Sequence, residues 1–405
     1  GFYEHAVQFF RNVPPLSMIP LLILWCGIGE TTKTVIIVLA SFFPMYLNIV
    51  KGFTGCDKKL LEVGTMFGYS KRQKFFRIVL PYAMADILVG MRIGLGYSWR
   101  AIIGEEFTKE NIQKLTLAMC LKMKAEHKDT KSVVIGYDRR FLSKEAVIWA
   151  CQILGKEGIH VQFVNRSAPT PLLMFYVMKH ELDYGMMVTA SHNPAIYNGI
   201  KVFTYGGRDA DEIQTKDIEK WLLEAEKLYT PCHEEDGQMP PPSYTELVKK
   251  GIVEEINPMN EYLDNILSVI NVDAIRKRDL RVAVDPMYGV SLTALSTILA
   301  VARCTVETIN AQHDTLFGGK MPAPAEDTLK NLQNCVLDRY CDIGIATDGD
   351  ADRLGVIDDK GHYLHANQIL VMLYYYLLKY KGWRGDAVRN LATTHMLDKV
   401  AESFG

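Results

Sequence analysis

After Lys131 the chain becomes an alternation of short β-branched runs with stretches of helical period, which limits it to mostly parallel sheets covered by helices. The first set reads SVVIGYD, SKEAVIWACQILGKEG, IHVQFVN, PLLMFYVMKHEL and YGMMVTA. A second set follows as LRVAVDPMYG, SLTALSTILAVA, CTVETINA, EDTLKNLQNCVLDRY and CDIGIATDGDADRLGVIDD. Two related α/β domains are expected, although the two sets contain no exact repeat. Between them, residues 229–244 are short of apolar side chains and rich in proline and acid, which suits an interdomain linker. A third unit of the same kind begins near Tyr363 and runs to Gly405.

The first hundred residues follow another pattern. Residues 13–28 and 34–50 carry no charge, and each is near the minimum for a membrane span, about 17 residues. A buried helix is the alternative for either run alone, but two in succession favour a membrane. A third apolar stretch, residues 83–104, contains Arg92 and Arg100, which weakens it as a span. The loop before it holds Lys58, Lys59, Lys71, Arg72, Lys74 and Arg77 against Asp57 and Glu62, which places that loop on the cytoplasmic side. Over the whole chain the formal net charge is −2, so no basic excess points to nucleic acid. The eight cysteines contain no C-x-x-C pair, which fits buried thiols in a reducing compartment better than a disulfide scaffold or a zinc site.

Two strand ends carry the chemistry. TASHNP follows the strand at 184–188 and sets Ser191 on a tight loop, where asparagine and proline fix the backbone and expose the hydroxyl. A serine in such a turn more often bonds its own backbone than attacks a substrate. DGDADR follows the strand at 342–346 and offers Asp348, Asp350 and Asp352 at i, i+2 and i+4. Carboxylates this close repel one another unless a hard cation sits among them, and oxygen-only ligation favours Mg²⁺ or Ca²⁺ over zinc. A solvated acidic turn is the plainer alternative. Arg353 stands where an EF-hand needs glycine, and a guanidinium beside a metal suits a phosphate.

Together these motifs resemble the α-D-phosphohexomutase superfamily, in particular its bacterial phosphoglucomutase/phosphomannomutase branch, over residues 99–405. The resemblance implies that Ser191 carries the phosphate and that Asp348, Asp350 and Asp352 bind Mg²⁺ with a phosphoserine oxygen. It implies that Arg353 contacts the phosphate, Lys201 in NGIK assists proton transfer, His192 and Asn193 shape the loop, and Arg100 faces the phosphoserine. The implied substrate is a hexose phosphate, with hexose 1,6-bisphosphate as intermediate and activator, in the cytoplasm. GYDRRF at 136–141 and HDTLFGGKMPAPAEDTL at 313–329 are further landmarks of that family.

The early part is similar to the permeases of binding-protein-dependent ABC transporters, of the sulfonate, nitrate and taurine type. Glu62, Gly68, Ile78, Leu80 and Pro81 match the loop with which such permeases dock on their ATPase subunit, and Val63 and Gly64 depart from its usual alanines. Glycine takes the turn, and proline is expected to end one helix and start the next membrane segment. The expected fold class is therefore α/β, with three-layer α/β/α mutase domains of mixed, mostly parallel sheets, preceded by an all-α transmembrane permease fragment in the inner membrane. The expected boundaries are 1–98, 99–235, 236–362 and 363–405. GYSWRAIIGEE suits both families, so the junction reads as a chimeric one rather than a working fusion. The family's sugar-binding GE-x-SG loop and phosphate-binding R-x-SGT loop do not occur, so net mutase turnover is not expected of residues 1–405 alone.

Overall fold

The computed structural model describes residues 107–229, 241–385, 387–390, 393–404 and 67–84, with isolated helical positions between 35 and 87. The chain divides into two compact units, residues 1–108 and 109–405.

In the first unit, Gly68 makes a turn at φ +70°, the conformation expected of it. Ser70 caps the short helix Lys71–Lys74, and a π-helical turn, Phe75–Val79, follows directly. Pro81 does not end this helix. Residues 80–84 remain helical, and the Leu80 N–H reaches back five residues to the Phe75 carbonyl. Widening the turn in this way relieves the misfit of a proline inside a helix. Glu62 lies outside the described residues, as do residues 13–28 and most of 34–50 and 83–104. Among the described residues, no helix is long and apolar enough to cross a membrane.

The second unit contains two mixed sheets. In the first, β1 (Val133–Tyr137) pairs in parallel with β2 (Val161–Val164) on one side and β3 (Tyr184–Val188) on the other. The crossover helices α2 (Ser143–Lys156) and α3 (Thr170–Lys179) therefore fall on opposite faces, because both connections are right-handed. Antiparallel β4 (Ile200–Thr204) and β5 (Arg208–Asp209) extend the sheet beyond β3. Under α3, Leu172, Leu173 and Val177 pack with Val134, Met187 and Phe203. Helix α1 (Lys109–Ala125) packs against α2 and against α4 (Glu212–Leu228).

The second sheet repeats this plan. Strand β7 (Arg281–Asp285) lies between parallel β8 (Thr305–Thr308) and β9 (Ile343–Thr347). Antiparallel β10 (Leu354–Asp358) and β11 (Tyr363–Leu364) then follow β9. Helix α5 (Lys330–Asp338) covers one face with Leu332 and Val336, packed on Ala283, Ala346 and Ile357.

Two expected boundaries shift. Strand β6 (Val253–Ile256) pairs with β2, so the first sheet takes in a strand well beyond residue 235. Tyr363 pairs with Ile357, which places it in the second sheet rather than at the head of a third domain. Parallel pairing predominates only in the first sheet; the second has two parallel and two antiparallel strand pairs.

Candidate active site

Each sheet sends one loop to the site from the same topological position. The loop between β3 and β4 carries Ser191, and the loop between β9 and β10 carries Asp348, Asp350 and Asp352. The Ser191 hydroxyl donates to Asp348 Oδ2 at 2.7 Å and lies 3.5 Å from Asp352 Oδ1. The two motifs therefore meet across 157 residues of sequence.

The serine loop is built around a buried pair. Asp138, at the end of β1, accepts the Thr189 hydroxyl at 2.7 Å, the Ser143 hydroxyl at 2.9 Å and the Arg140 N–H at 2.9 Å. Thr189 Oγ1 in turn accepts the Ser191 N–H at 2.9 Å. Burial pushes the Asp138 carboxyl up against the pull of Arg140, whose Nε stands 3.2 Å away. The Arg140 guanidinium donates to four main-chain carbonyls of the loop: Ser191 at 2.6 Å, Asn193 at 2.7 Å, and Pro194 and Tyr197 at 2.9 Å each. Ser191 itself is held at φ +52°, a left-handed conformation that a residue with a side chain adopts only under strain. Asn193 serves through its main chain, and His192 beside it is half-buried.

In the aspartate loop, Asp348 and Asp350 are fully buried. Asp348 Oδ1 accepts the N–H groups of Asp352 and Arg353 at 3.0 Å each. The nearest oxygens of the three carboxylates lie within 4.8 Å of one another. At that separation each like-charged pair costs about 3 kcal/mol at an effective dielectric of about 20. Burial, together with the charge on Asp350, pushes the Asp348 carboxyl up to about 7. Burial works in the same direction on Asp350, but the Lys201 ammonium outweighs it and holds that carboxyl below its usual range. Lys201 Nζ donates to Asp350 at 2.8 Å and to Asp352 at 2.5 Å, so it stands as a cation whose affinity for its proton is raised despite burial. Arg353 is half-exposed and reaches only to 3.9 Å from Asp348.

One lysine does not balance three carboxylates, and Asp350 Oδ1 is buried with no hydrogen-bond donor. An oxygen-only set with an orphaned buried acceptor fits a hard divalent cation such as Mg²⁺. Arg100 lies outside the described residues. Sequence reasoning assigned no role to Arg140, Asp138 or Thr170. Thr170 opens α3 and donates to Asp350 through its hydroxyl at 2.7 Å, and through its N–H to the Asp350 carbonyl at 2.9 Å. The only signal for the first two was their place in GYDRRF.

The comparisons with known proteins agree with this geometry. Residues 95–228 match the profile of phosphoglucomutase/phosphomannomutase alpha/beta/alpha domain I, and residues 260–361 match that of domain II. Residues 2–117 match the binding-protein-dependent transport system inner membrane component. A phosphoglucomutase/phosphomannomutase of Thermococcus kodakarensis is 31% identical over 309 residues, which is 76% of this chain and 63% of that protein. A phosphoglucosamine/phosphogalactosamine mutase of Sulfurisphaera tokodaii is 31% identical over 277 residues, 68% of this chain and 57% of that protein. This chain thus spans less than two thirds of the length of either relative. A crystal structure of a proposed phosphomannomutase from Thermus thermophilus superposes with a TM-score of 0.64 at 27% identity, covering 74% of this chain and 64% of that one. The two α/β domains of this chain therefore belong to the phosphoglucomutase/phosphomannomutase family, as its domains I and II.

Proposed function

We propose that this chain is a phosphohexomutase, or the part of one that carries the reacting serine, and that Ser191 takes a phosphate from and returns it to a hydroxyl of a hexose phosphate. The observation that supports this most directly is the Ser191 hydroxyl lying 2.7 Å from Asp348, at the edge of three convergent carboxylates. Asp348, Asp350 and Asp352 would hold Mg²⁺, which when bound offsets charge on the transferring phosphoryl group. Arg353, half-exposed beside the trio, is free to turn toward a phosphate. Arg100 is the further phosphate contact that the family resemblance suggests. The attacking sugar hydroxyl must lose a proton, and Lys201 is the amine nearest the trio. It must first release a proton of its own to solvent, to which its side chain is 27% exposed, because the carboxylates it faces are those assigned to the cation. The oriented donors and acceptors are in place before substrate arrives, which is where phosphoryl transfer gains most of its rate.

The relatives' names cover glucose, mannose, glucosamine and galactosamine phosphates, so the proposed substrate class is a hexose phosphate with the sugar left open. The test is incubation with labelled hexose 1,6-bisphosphate and Mg²⁺. Label should appear on Ser191 and vanish in Ser191→Ala; undiminished label in that variant would overturn the reading. For residues 1–98, the profile match over 2–117 supports a second reading as a permease fragment at the inner membrane, with an ABC ATPase subunit as partner through Glu62 to Pro81. The chain is then chimeric in character.

A further inference from the structure

Three segments remote in sequence meet behind Ser191: its own loop, the aspartate loop at Gly349, and the 313–319 loop at Phe317. A Cβ on Gly349 would stand 2.9 Å from the Ser191 carbonyl oxygen and 3.3 Å from the Phe317 ring, so the three close up only because that position has no side chain. Phe317 is 1% exposed. Its ring faces the Arg140 guanidinium, with the guanidinium carbon 4.9 Å from the ring centroid. That is the guanidinium whose donors are spent on the four carbonyls of the serine loop.

The 313–319 loop is shaped to deliver this ring. Asp314 accepts the N–H groups of Leu316 and Gly318 at 2.9 Å each through its carboxylate, and its carbonyl accepts the Phe317 N–H at 3.1 Å. Phe317, Gly318 and Gly319 then run at φ +53°, +64° and +70°. The glycines adopt this freely, whereas the phenylalanine does so only under strain. A side chain at Gly318 would come within 2.7 Å of the Tyr288 ring, so the loop's inner face is pressed against that ring.

A guanidinium makes its hydrogen bonds in its plane and leaves its faces open. Water on the open face would compete for the four carbonyls and loosen the loop, whereas an aromatic face excludes it and attracts the charge. We infer that Phe317 is a positioning residue, whose ring seals the Arg140–carbonyl cluster against Gly349 and so keeps the Ser191 hydroxyl aimed at Asp348. It acts through Arg140 and touches none of the reacting atoms. The inference rests on Ser191 being the phosphate carrier.

The test uses the full chain and reads the rate of serine labelling by hexose 1,6-bisphosphate per folded molecule. Because a misplacement near 1 Å costs about 100-fold, Phe317→Ala is expected to label about 100-fold more slowly, with Mg²⁺ affinity unchanged. Arg140→Lys should slow labelling too, and the double variant should be no slower than the worse single one, since both remove the same support. Fully additive losses would overturn the inference, as would an unchanged rate in folded Phe317→Ala. A residue that only filled the core would lower the melting temperature without slowing the folded fraction. Should Phe317→Ala fail to fold, Phe317→Leu keeps most of the apolar volume and loses the ring face. It is expected to slow labelling about tenfold, and a wild-type rate there overturns the inference. Label surviving in Ser191→Ala defeats the carrier assignment. Label lost there but unaltered in both Phe317 variants defeats only the positioning role.

Discussion

The β3–β4 and β9–β10 connections occupy equivalent places in two sheets of the same plan, yet they are held in opposite ways. Both domains end their first strand in a buried aspartate, Asp138 and Asp285, whose carboxylate accepts the N–H two residues on. In the first domain that carboxylate recruits Arg140, and the arginine grips the loop from behind by its carbonyls. In the second, Asn310 satisfies the carboxylate at 3.0 and 3.1 Å, and the loop folds on its own side chain through Asp348. One scaffold thus presents a clamped hydroxyl and the other a self-supported carboxylate set. In the proposed roles, a nucleophile needs a fixed direction and metal ligands need excess negative charge, so the arginine suits the first loop and would defeat the second.

This contrast breaks most visibly at Arg140. Arg140→Leu leaves Asp138 buried and unpaired and removes the donor from four carbonyls, an expected loss of about 3–5 kcal/mol in urea denaturation. The counterpart, Asn310→Leu, removes only a neutral donor from Asp285 and should cost about 1–3 kcal/mol. Equal losses would show that the two loops are held alike. A smaller effect on folding, but a sharper one on chemistry, is expected from Asp350→Asn. Mg²⁺ affinity measured by calorimetry should fall about tenfold or more, since even an outer partner of a ligand is worth that much. Unchanged affinity would show that the trio does not hold the cation. The smallest effect lies away from both loops, at Glu126. Burial opposes its ionisation, but hydrogen bonds from Lys122, Tyr184 and Lys128 outweigh it and hold the carboxyl at about 2, below the ordinary 4.5. A depressed carboxyl stabilises the fold above the unfolded value, so its contribution should decline as pH falls from about 4.5 to 2. Removing it with Glu126→Gln should flatten the melting-temperature profile in that window and leave serine labelling at neutral pH unaltered.

The aspartate trio was legible as a candidate site because its carboxylates are closely spaced, and Ser191 because it sits on a tight strand-end loop, whereas Lys201 was marked only by the family resemblance. The β/α alternation likewise marked β1 to β3 and β7 to β10, but not β4. Arg140 and Phe317 were not legible as working residues, although both sit in recognisable motifs. Arg140 acts on main-chain carbonyls some fifty residues away, and Phe317 presents a ring face, so neither partnership leaves a trace in residue type. Strand β6 was missed because Val253–Ile256 reads VEEI, an edge strand with two charged positions beyond a polar segment. The membrane reading of residues 13–28 and the role of Arg100 concern residues outside those described, and that of 34–50 concerns residues mostly outside them.

The left-handed backbone at Ser191 sets stability and function against each other at a single codon. Glycine would occupy that conformation without strain, relieving a cost of order 1 kcal/mol or more. Ala351, in the aspartate loop at φ +62°, faces the same preference but has no hydroxyl to lose. A selection for thermal tolerance alone would therefore admit glycine at both positions, improving the fold at 351 harmlessly and erasing the proposed phosphate carrier at 191. Under such pressure, persistence of serine would be a record of activity rather than of architecture.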